Sequence, residues 1–210
     1  MKADFIKDKI RLFNCDCMAF MAEIPDGYYE LAIVDPPYGL PERSGKGAGK
    51  LANRIIQDMH KSGWDIAPKD SYFKELFRIS KHQVIWGGNY FNLPPTRGIV
   101  CWDKKQPWQN FSAWEMAWTS FDMVAKIFRF DNRYSGKTHP TQKPIELYSW
   151  LLDNYAKPND KIFDSHGGSF SSACAALDMG FEFDGCELDE DYFKSAVNRL
   201  ENHNQLYLEF

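Results

Sequence analysis

Asp35-Pro36-Pro37-Tyr38 puts a carboxylate, two prolines and an aromatic ring in consecutive positions at the end of the apolar run "LAIV". Proline fixes φ and has no backbone N–H, so the pair presents carbonyl oxygens without competing donors. A carboxylate and a proline carbonyl are two acceptors that can converge on one –NH2 group, and Tyr38 adds a flat ring beside them. That set suits a planar heterocycle bearing an exocyclic amine. The plainer reading is a strand that runs into an extended proline turn.

A second group lies toward the C-terminus. "KIFDSHGGSFSSA" passes from a strand through Asp164, Ser165, His166, Gly167, Gly168 and Ser169 into a helix of small residues. This is the layout of a nucleotide-type cofactor turn, with close backbone approach followed by a helix N-terminus. Glu187, in "GCELD", closes the next strand, about 20 residues on, where an acid hydrogen-bonds ribose hydroxyls in dinucleotide-binding folds. The turn lacks G-x-G-x-x-G, and no GxxxxGK[ST] occurs. An adenosine-containing cofactor without a pyrophosphate therefore suits it better than NAD or ATP. A third group, "THPTQKP", sets His139, Thr141 and Lys143 directly before a Pro-started helix, and alone it reads equally well as an ordinary helix entry.

These residues need elements to hold them. "KIRLFN", "YELAIVD", "HQVIWGG", "GIVCWDK", "AWEMAWTS", "DKIFD" and "EFDGCELD" read as strands, with the alternating "MVAKIFRF" as an edge strand. "CMAFMAEIP", "KDSYFKELFRIS" (Phe73, Leu76, Phe77 and Ile79 inward), "PIELYSWLLDNYA", "SFSSACAALDMG" and "EDYFKSAVNRLENH" read as helices. Strands alternating with helices imply an α/β fold: a doubly wound, mostly parallel, Rossmann-like sheet with helices on both faces. In such sheets ligands bind beyond the carboxyl ends of the strands, where Asp35, Asp164 and Glu187 fall. A single domain over 1–210 is expected. Residues 39–64, with Gly39, Gly45, Gly47 and Gly49 and almost no apolar periodicity, read as a mobile basic loop with a helix near 51–60.

Composition bounds the rest. The chain has 210 residues, 44% hydrophobic and 16% aromatic, enough for a globular domain with a core. No apolar run approaches the ~18 residues of a membrane span, and the N-terminus has no signal-peptide core, so a cytoplasmic location is expected. Cys15, Cys17, Cys101, Cys174 and Cys186 include no CxxC pair, which reads as reduced thiols and no metal site. A net charge of −4 argues mildly against a nucleic-acid ligand, yet the cations are clustered. Arg43, Lys46, Lys50, Arg54 and Lys61 are set against only Glu42 and Asp58, and Lys126, Arg129, Arg133, Lys137 and Lys143 against only Asp131.

DPPY, then HPTQKP, then D-x-x-x-G followed by G-x-E-L-D resemble the S-adenosylmethionine-dependent DNA amino-methyltransferases, and the order of the motifs resembles their permuted beta group. The resemblance runs from "RLFNCDCMAF" to "NRL" and implies a methyl transfer to adenine N6 in double-stranded DNA. It makes Asp35, Pro36, Pro37 and Tyr38 the catalytic motif. It gives Asp16, Asp35, His139, Thr141, Lys143, Asp164, Ser165, His166, Gly167, Gly168, Ser169 and Glu187 to S-adenosylmethionine. DNA is expected at Tyr38, on which a flipped base would stack, and at Arg43, Lys46, Lys50, Arg54, Arg133 and Lys137. Asp35, where cytosine enzymes have Ser, favours adenine over cytosine N4 by resemblance, and the absence of a Pro-Cys pair disfavours cytosine C5 chemistry. An RNA or other amine methyltransferase and a non-catalytic binding module on this fold are the alternatives. Two departures stand out: Phe170 occupies the place of the family's second glycine, and only about residues 119–137 are left for target recognition, which leaves room for a homodimer that shares the work.

Overall fold

The computed structural model describes residues 1–40, 66–106, 112–131 and 142–203. Its strands are Phe5–Lys7 (β1), Ile10–Asn14 (β2), Tyr29–Val34 (β3), Ser80–Trp86 (β4), Ile99–Asp103 (β5), Trp114–Thr119 (β6), Lys126–Arg129 (β7), Lys161–Asp164 (β8) and Glu182–Glu187 (β9). Its helices are Cys17–Ala22 (α1), Asp70–Ile79 (α2), Ile145–Tyr155 (α3), Ser171–Met179 (α4) and Glu190–Glu201 (α5). The strands form one sheet in the order β1-β2-β9-β8-β3-β4-β6-β5-β7. Pairing is parallel between β2 and β9, β9 and β8, β8 and β3, β3 and β4, and β5 and β7. It is antiparallel where β1 meets β2 and where β6 meets β4 and β5. The expected doubly wound, mostly parallel sheet is what forms.

Alternation along β3 explains the two layers. Leu31 and Ile33 face one core with α3, α4 and α5, while Ala32 and Val34 face the other with α1 and α2. Both faces are covered, so β3 reads as an unbroken apolar run rather than an alternating one. In α2 the buried side chains are Tyr72, Phe73, Leu76 and Ile79, the helical spacing expected. Phe77 is only half-buried and Tyr72 takes its place inside, because its hydroxyl finds a buried partner in Ser165.

From β3 the chain reaches β4 through α2, and from β8 it reaches β9 through α4. These two helices lie on opposite faces, so a crevice opens beyond the carboxyl ends of β3 and β8, where such sheets bind ligands. β7 is an edge strand, as its alternation predicts. The sequence reading missed β1, a short strand that returns into β2 through Asp8 at φ 53. The helix expected near 51–60 lies outside the described residues, as does the 39–64 loop apart from Gly39 and Leu40.

Candidate active site

Asp35 follows the last residue of β3, and the Tyr38 hydroxyl donates to its Oδ1 (2.6 Å). The proline pair thus turns the chain back so that ring and carboxylate meet. Tyr38 stacks on Tyr90, with ring centroids 5.0 Å apart and planes tilted by 24°. Tyr90 belongs to a single 3-10 turn, Gly88–Tyr90, after β4 and is 48% exposed. Gly87, at φ +68, makes the approach possible, since a Cβ there would run into the Tyr38 ring. The signal in the sequence was "WGGNY": paired glycines at the carboxyl end of a buried strand.

The second oxygen of Asp35 is taken by Lys143, whose ammonium donates to Oδ2. Lys143 is buried, with its Nζ 5.1 Å from the centre of the Trp86 ring and 3.2 Å from Glu115 Oε2. Glu115, on β6, pairs through Oε1 with Lys104, just past β5. An alternating line of charges therefore runs from Asp35 through Lys143 and Glu115 to Lys104. Burial alone would raise the Glu115 carboxyl, but the two lysines outweigh it and hold it down at about 2. Burial would likewise lower the Lys143 ammonium, and Asp35 and Glu115 push it above its ordinary range instead. Lys143, expected among the cofactor-closing residues, thus has its charged end on the Asp35 carboxylate. Glu115 and Lys104 escaped the sequence reading, because a lone acid in "AWEMAWTS" looks like the solvent side of an alternating strand.

Across the crevice, β8 ends at buried Asp164. Ser172 Oγ donates to its Oδ2 (2.6 Å) and the His166 N–H to its Oδ1 (3.1 Å). Burial nevertheless pushes its carboxyl up to about 7. Ser165 Oγ lies 2.8 Å from His166 Nδ1 and 2.5 Å from the Tyr72 hydroxyl, and burial holds the His166 imidazole down at about 4. The turn closes with the Phe170 N–H donating to the Gly167 carbonyl (2.7 Å). Glu187 accepts the Gly168 N–H at Oε2 (2.7 Å) and the Asp189 N–H at Oε1 (2.9 Å). Ser169 is held through its carbonyl by Arg199 (2.8 Å). Asp16 caps α1, its Oδ1 accepting the Met18 N–H (2.6 Å).

Phe170 departs from the expected glycine yet keeps a glycine's backbone, with φ 49 and ψ 41. Its ring is fully buried, edge-on to Phe183 and Phe193. A Cβ on Gly167 or Gly185 would collide with it. The ring fills the interior beneath the turn rather than the cofactor side, so the surface left to a ligand is still glycine backbone. At Gly168, φ +53, a Cβ would meet nothing within 4 Å. An open glycine face, a carboxylate at the end of the next strand and buried Ser165 beside half-buried His166 fit the methionine and ribose parts of S-adenosylmethionine.

The structure brings Asp35, Pro36, Pro37, Tyr38, Lys143, Asp164, Ser165, His166, Gly167, Gly168, Ser169 and Glu187 to the carboxyl edge of one sheet, with Asp16 beside them at the end of β2. His139, Thr141, Arg43, Lys46, Lys50, Arg54, Arg133 and Lys137 lie outside the described residues.

Residues 102–198 match the N6/N4 DNA methylase family, a span that contains the Lys104–Glu115–Lys143 line and the 164–187 turn. A protein of Escherichia coli named as a methylase, YubD, is 26% identical over 203 residues, covering 90% of this chain and 89% of its own. The DNA adenine methyltransferase YhdJ of the same organism is 34% identical over 65 residues, 31% of this chain and 22% of its own. Among solved structures, the M1.HpyAVI–SAM complex shares the fold at a TM-score of 0.60 and 17% identity, over 90% of this chain and 99% of the other.

Proposed function

We propose that this chain, a DNA methylase, transfers a methyl group from S-adenosylmethionine to the N6 amine of adenine in duplex DNA. One observation carries the reading: the Asp35–Tyr38 motif and the Asp164–Glu187 turn flank the same crevice of the sheet, with an amine acceptor on one side and a nucleoside-type turn on the other. When bound, the cofactor supplies an electrophilic sulfonium methyl. Gly167, Gly168 and Glu187 would hold it by backbone approach and by carboxylate acceptance of ribose hydroxyls.

The chain's own task is to make an aromatic amine nucleophilic. Its lone pair is delocalised into the ring, so the free amine is a poor attacker. Hydrogen bonds from its two N–H groups to the Asp35 carboxylate and the Pro36 carbonyl favour a pyramidal nitrogen and return the lone pair. That stabilisation exists mainly in the transition state, which is what raises turnover. Each Asp35 oxygen already has one protein donor, which fixes the carboxylate and leaves lone pairs for the amine. An adenine flipped out of the duplex would stack on Tyr38. Flipping costs a few kcal/mol, of which stacking returns about 1–3 kcal/mol. A cytoplasmic protein acting on chromosomal or invading DNA fits this chemistry.

The test is nucleoside mass spectrometry of duplex DNA after incubation with the purified protein and methyl-labelled cofactor. N6-methyladenine is expected. N4-methylcytosine would correct the base, and label in structured RNA alone would overturn the substrate. Asp35→Asn keeps the shape and loses the second acceptor. It should lower turnover by at least about 100-fold with cofactor affinity little changed, and turnover retained within tenfold would remove Asp35 from the chemistry.

A further inference from the structure

The line of charge behind Asp35, centred on buried Lys143, has a consequence for the reaction. Glu115 has no direct reach to the crevice chemistry in the structure; it touches Lys104 and Lys143. Lys143 is the group that touches Asp35. The four residues come from separate places in the chain: the turn after β3, the approach to α3, β6 and the end of β5. The sheet order β3-β4-β6-β5 brings the three strand-borne members together at the carboxyl edge, and Trp86 of β4 floors the Lys143 ammonium between them.

A cation at Asp35 opposes the reaction when it stands alone. Positive charge develops on the amine nitrogen as it takes the methyl group, and the stabilising carboxylate is already bound to an ammonium. An anion on the far side of that ammonium offsets it and leaves the carboxylate's field for the amine. Glu115 stands there, its Oε2 making only an ionic contact with Lys143 and its Oε1 tied to Lys104. We propose that Glu115, anchored by Lys104, is a positioning residue for methyl transfer: it holds and neutralises Lys143, so that Asp35 keeps one orientation and its full attraction for the target amine.

Lys143 and Lys104 outweigh the effect of burial on Glu115 and keep it an anion throughout the neutral range. Lys104 is kept in line by the Trp102 ring, 5.1 Å from its Nζ. The inference rests on the adenine-N6 reading of the site.

The experiment compares single-turnover rates on duplex DNA for the wild type, Glu115→Gln, Lys143→Met and the double variant, alongside cofactor and DNA affinities. Glu115→Gln should slow transfer by about 10- to 100-fold, the scale on which supporting partners act, with both affinities within about threefold of wild type. The double variant should be no slower than Lys143→Met, because Glu115 acts through Lys143. Nitrogen-15 NMR of the lysine ammonium groups should show a resonance that disappears in Lys143→Met and moves in Glu115→Gln. A Glu115→Gln rate within twofold of wild type, or a double variant slower by the full Glu115→Gln factor, overturns the inference. Should Glu115→Gln fail to fold, Lys104→Met must lower the same rate constant about 3- to 10-fold with affinities unchanged, and an unchanged rate counts against the proposal. A wild type inactive on DNA would sink the proposed function instead, and the NMR comparison would then decide the Glu115–Lys143 link by itself.

Discussion

Two residues of the turn, Asp164 and His166, titrate in opposite senses. The Asp164 carboxyl is raised to about 7, by burial first and then by Asp35 and Glu187, against the donors Ser172 and His166. The unfolded carboxyl titrates near ~3.9. The folded state therefore binds the extra proton between those values. Its contribution to stability is complete below about 4 and is lost as pH rises through about 7. Burial lowers His166 to about 4, against ~6.5 when unfolded, so its contribution is absent at low pH and grows as pH rises to about 6.5. The two cancel between about 4 and 6.5. Relative to wild type, the melting temperature of Asp164→Asn should climb with pH across that window, and that of His166→Asn should fall. Variants that merely track the wild type would show that neither group is held in the state described. Glu187 belongs to the same scale. Its carboxylate already orders the Gly168 and Asp189 N–H groups, so Glu187→Ala removes both a ribose acceptor and the shape of the turn. With a charged hydrogen bond worth roughly 1.5–3 kcal/mol, cofactor affinity by calorimetry should fall by about one to two decades, and unchanged affinity would leave Glu187 a structural acid.

The turn between β8 and α4 is the element on which the cofactor reading depends, and Phe170 is its test. Replacing a buried phenylalanine by alanine costs about 3–5 kcal/mol. Position 170 is left-handed, where a non-glycine residue carries about 1–2 kcal/mol of strain. Phe170→Gly should therefore be at least as stable as Phe170→Ala in urea unfolding, reversing the usual order. An alanine variant clearly more stable than the glycine variant would contradict the backbone described. This turn also marks what the sequence made legible. A strand ending in an acid, a glycine pair and a run of small residues is a local pattern, and so were the buried strand into Asp35 and the amphipathic α2. The role of Phe170 could not be read the same way, because what its ring fills is set by Gly185 and Phe183 on a neighbouring strand. The partners of Lys143 were hidden for a similar reason. Its sequence neighbours pointed to the cofactor, whereas Glu115 and Asp35 reach it only once β6 and β3 take their places in the sheet. Edge pairing, including the short β1, depends on partner choice across the sheet and leaves little trace in a three-residue strand.

At the scale of the molecule, an acidic protein has to hold a polyanion. Several described cations are already committed. Lys143 and Lys104 serve the charge line, Lys126 donates to Asn154 (2.7 Å), Arg129 lies 3.7 Å from Asp103, and Arg97 lies 3.3 Å from Asp122. The described members of the second basic cluster, Lys126, Arg129 and Lys143, thus each have a partner within the protein. That shifts the expected DNA contacts toward Arg43, Lys46, Lys50 and Arg54, which follow Tyr38 in the sequence. So few contacts imply a short or degenerate site, or a homodimer that shares recognition. Each phosphate contact releases counterions and adds about 0.9 to the slope of log affinity against log salt. Neutralising the four residues together should therefore weaken DNA binding and flatten that slope by as much as about 3 to 4, with cofactor affinity unchanged. Neutralising Arg133 and Lys137 should flatten it by no more than about 2. If the quadruple variant keeps the wild-type slope, the 39–64 segment does not carry the phosphate contacts, and the reading of DNA must come from the other cluster or from a second copy of the chain.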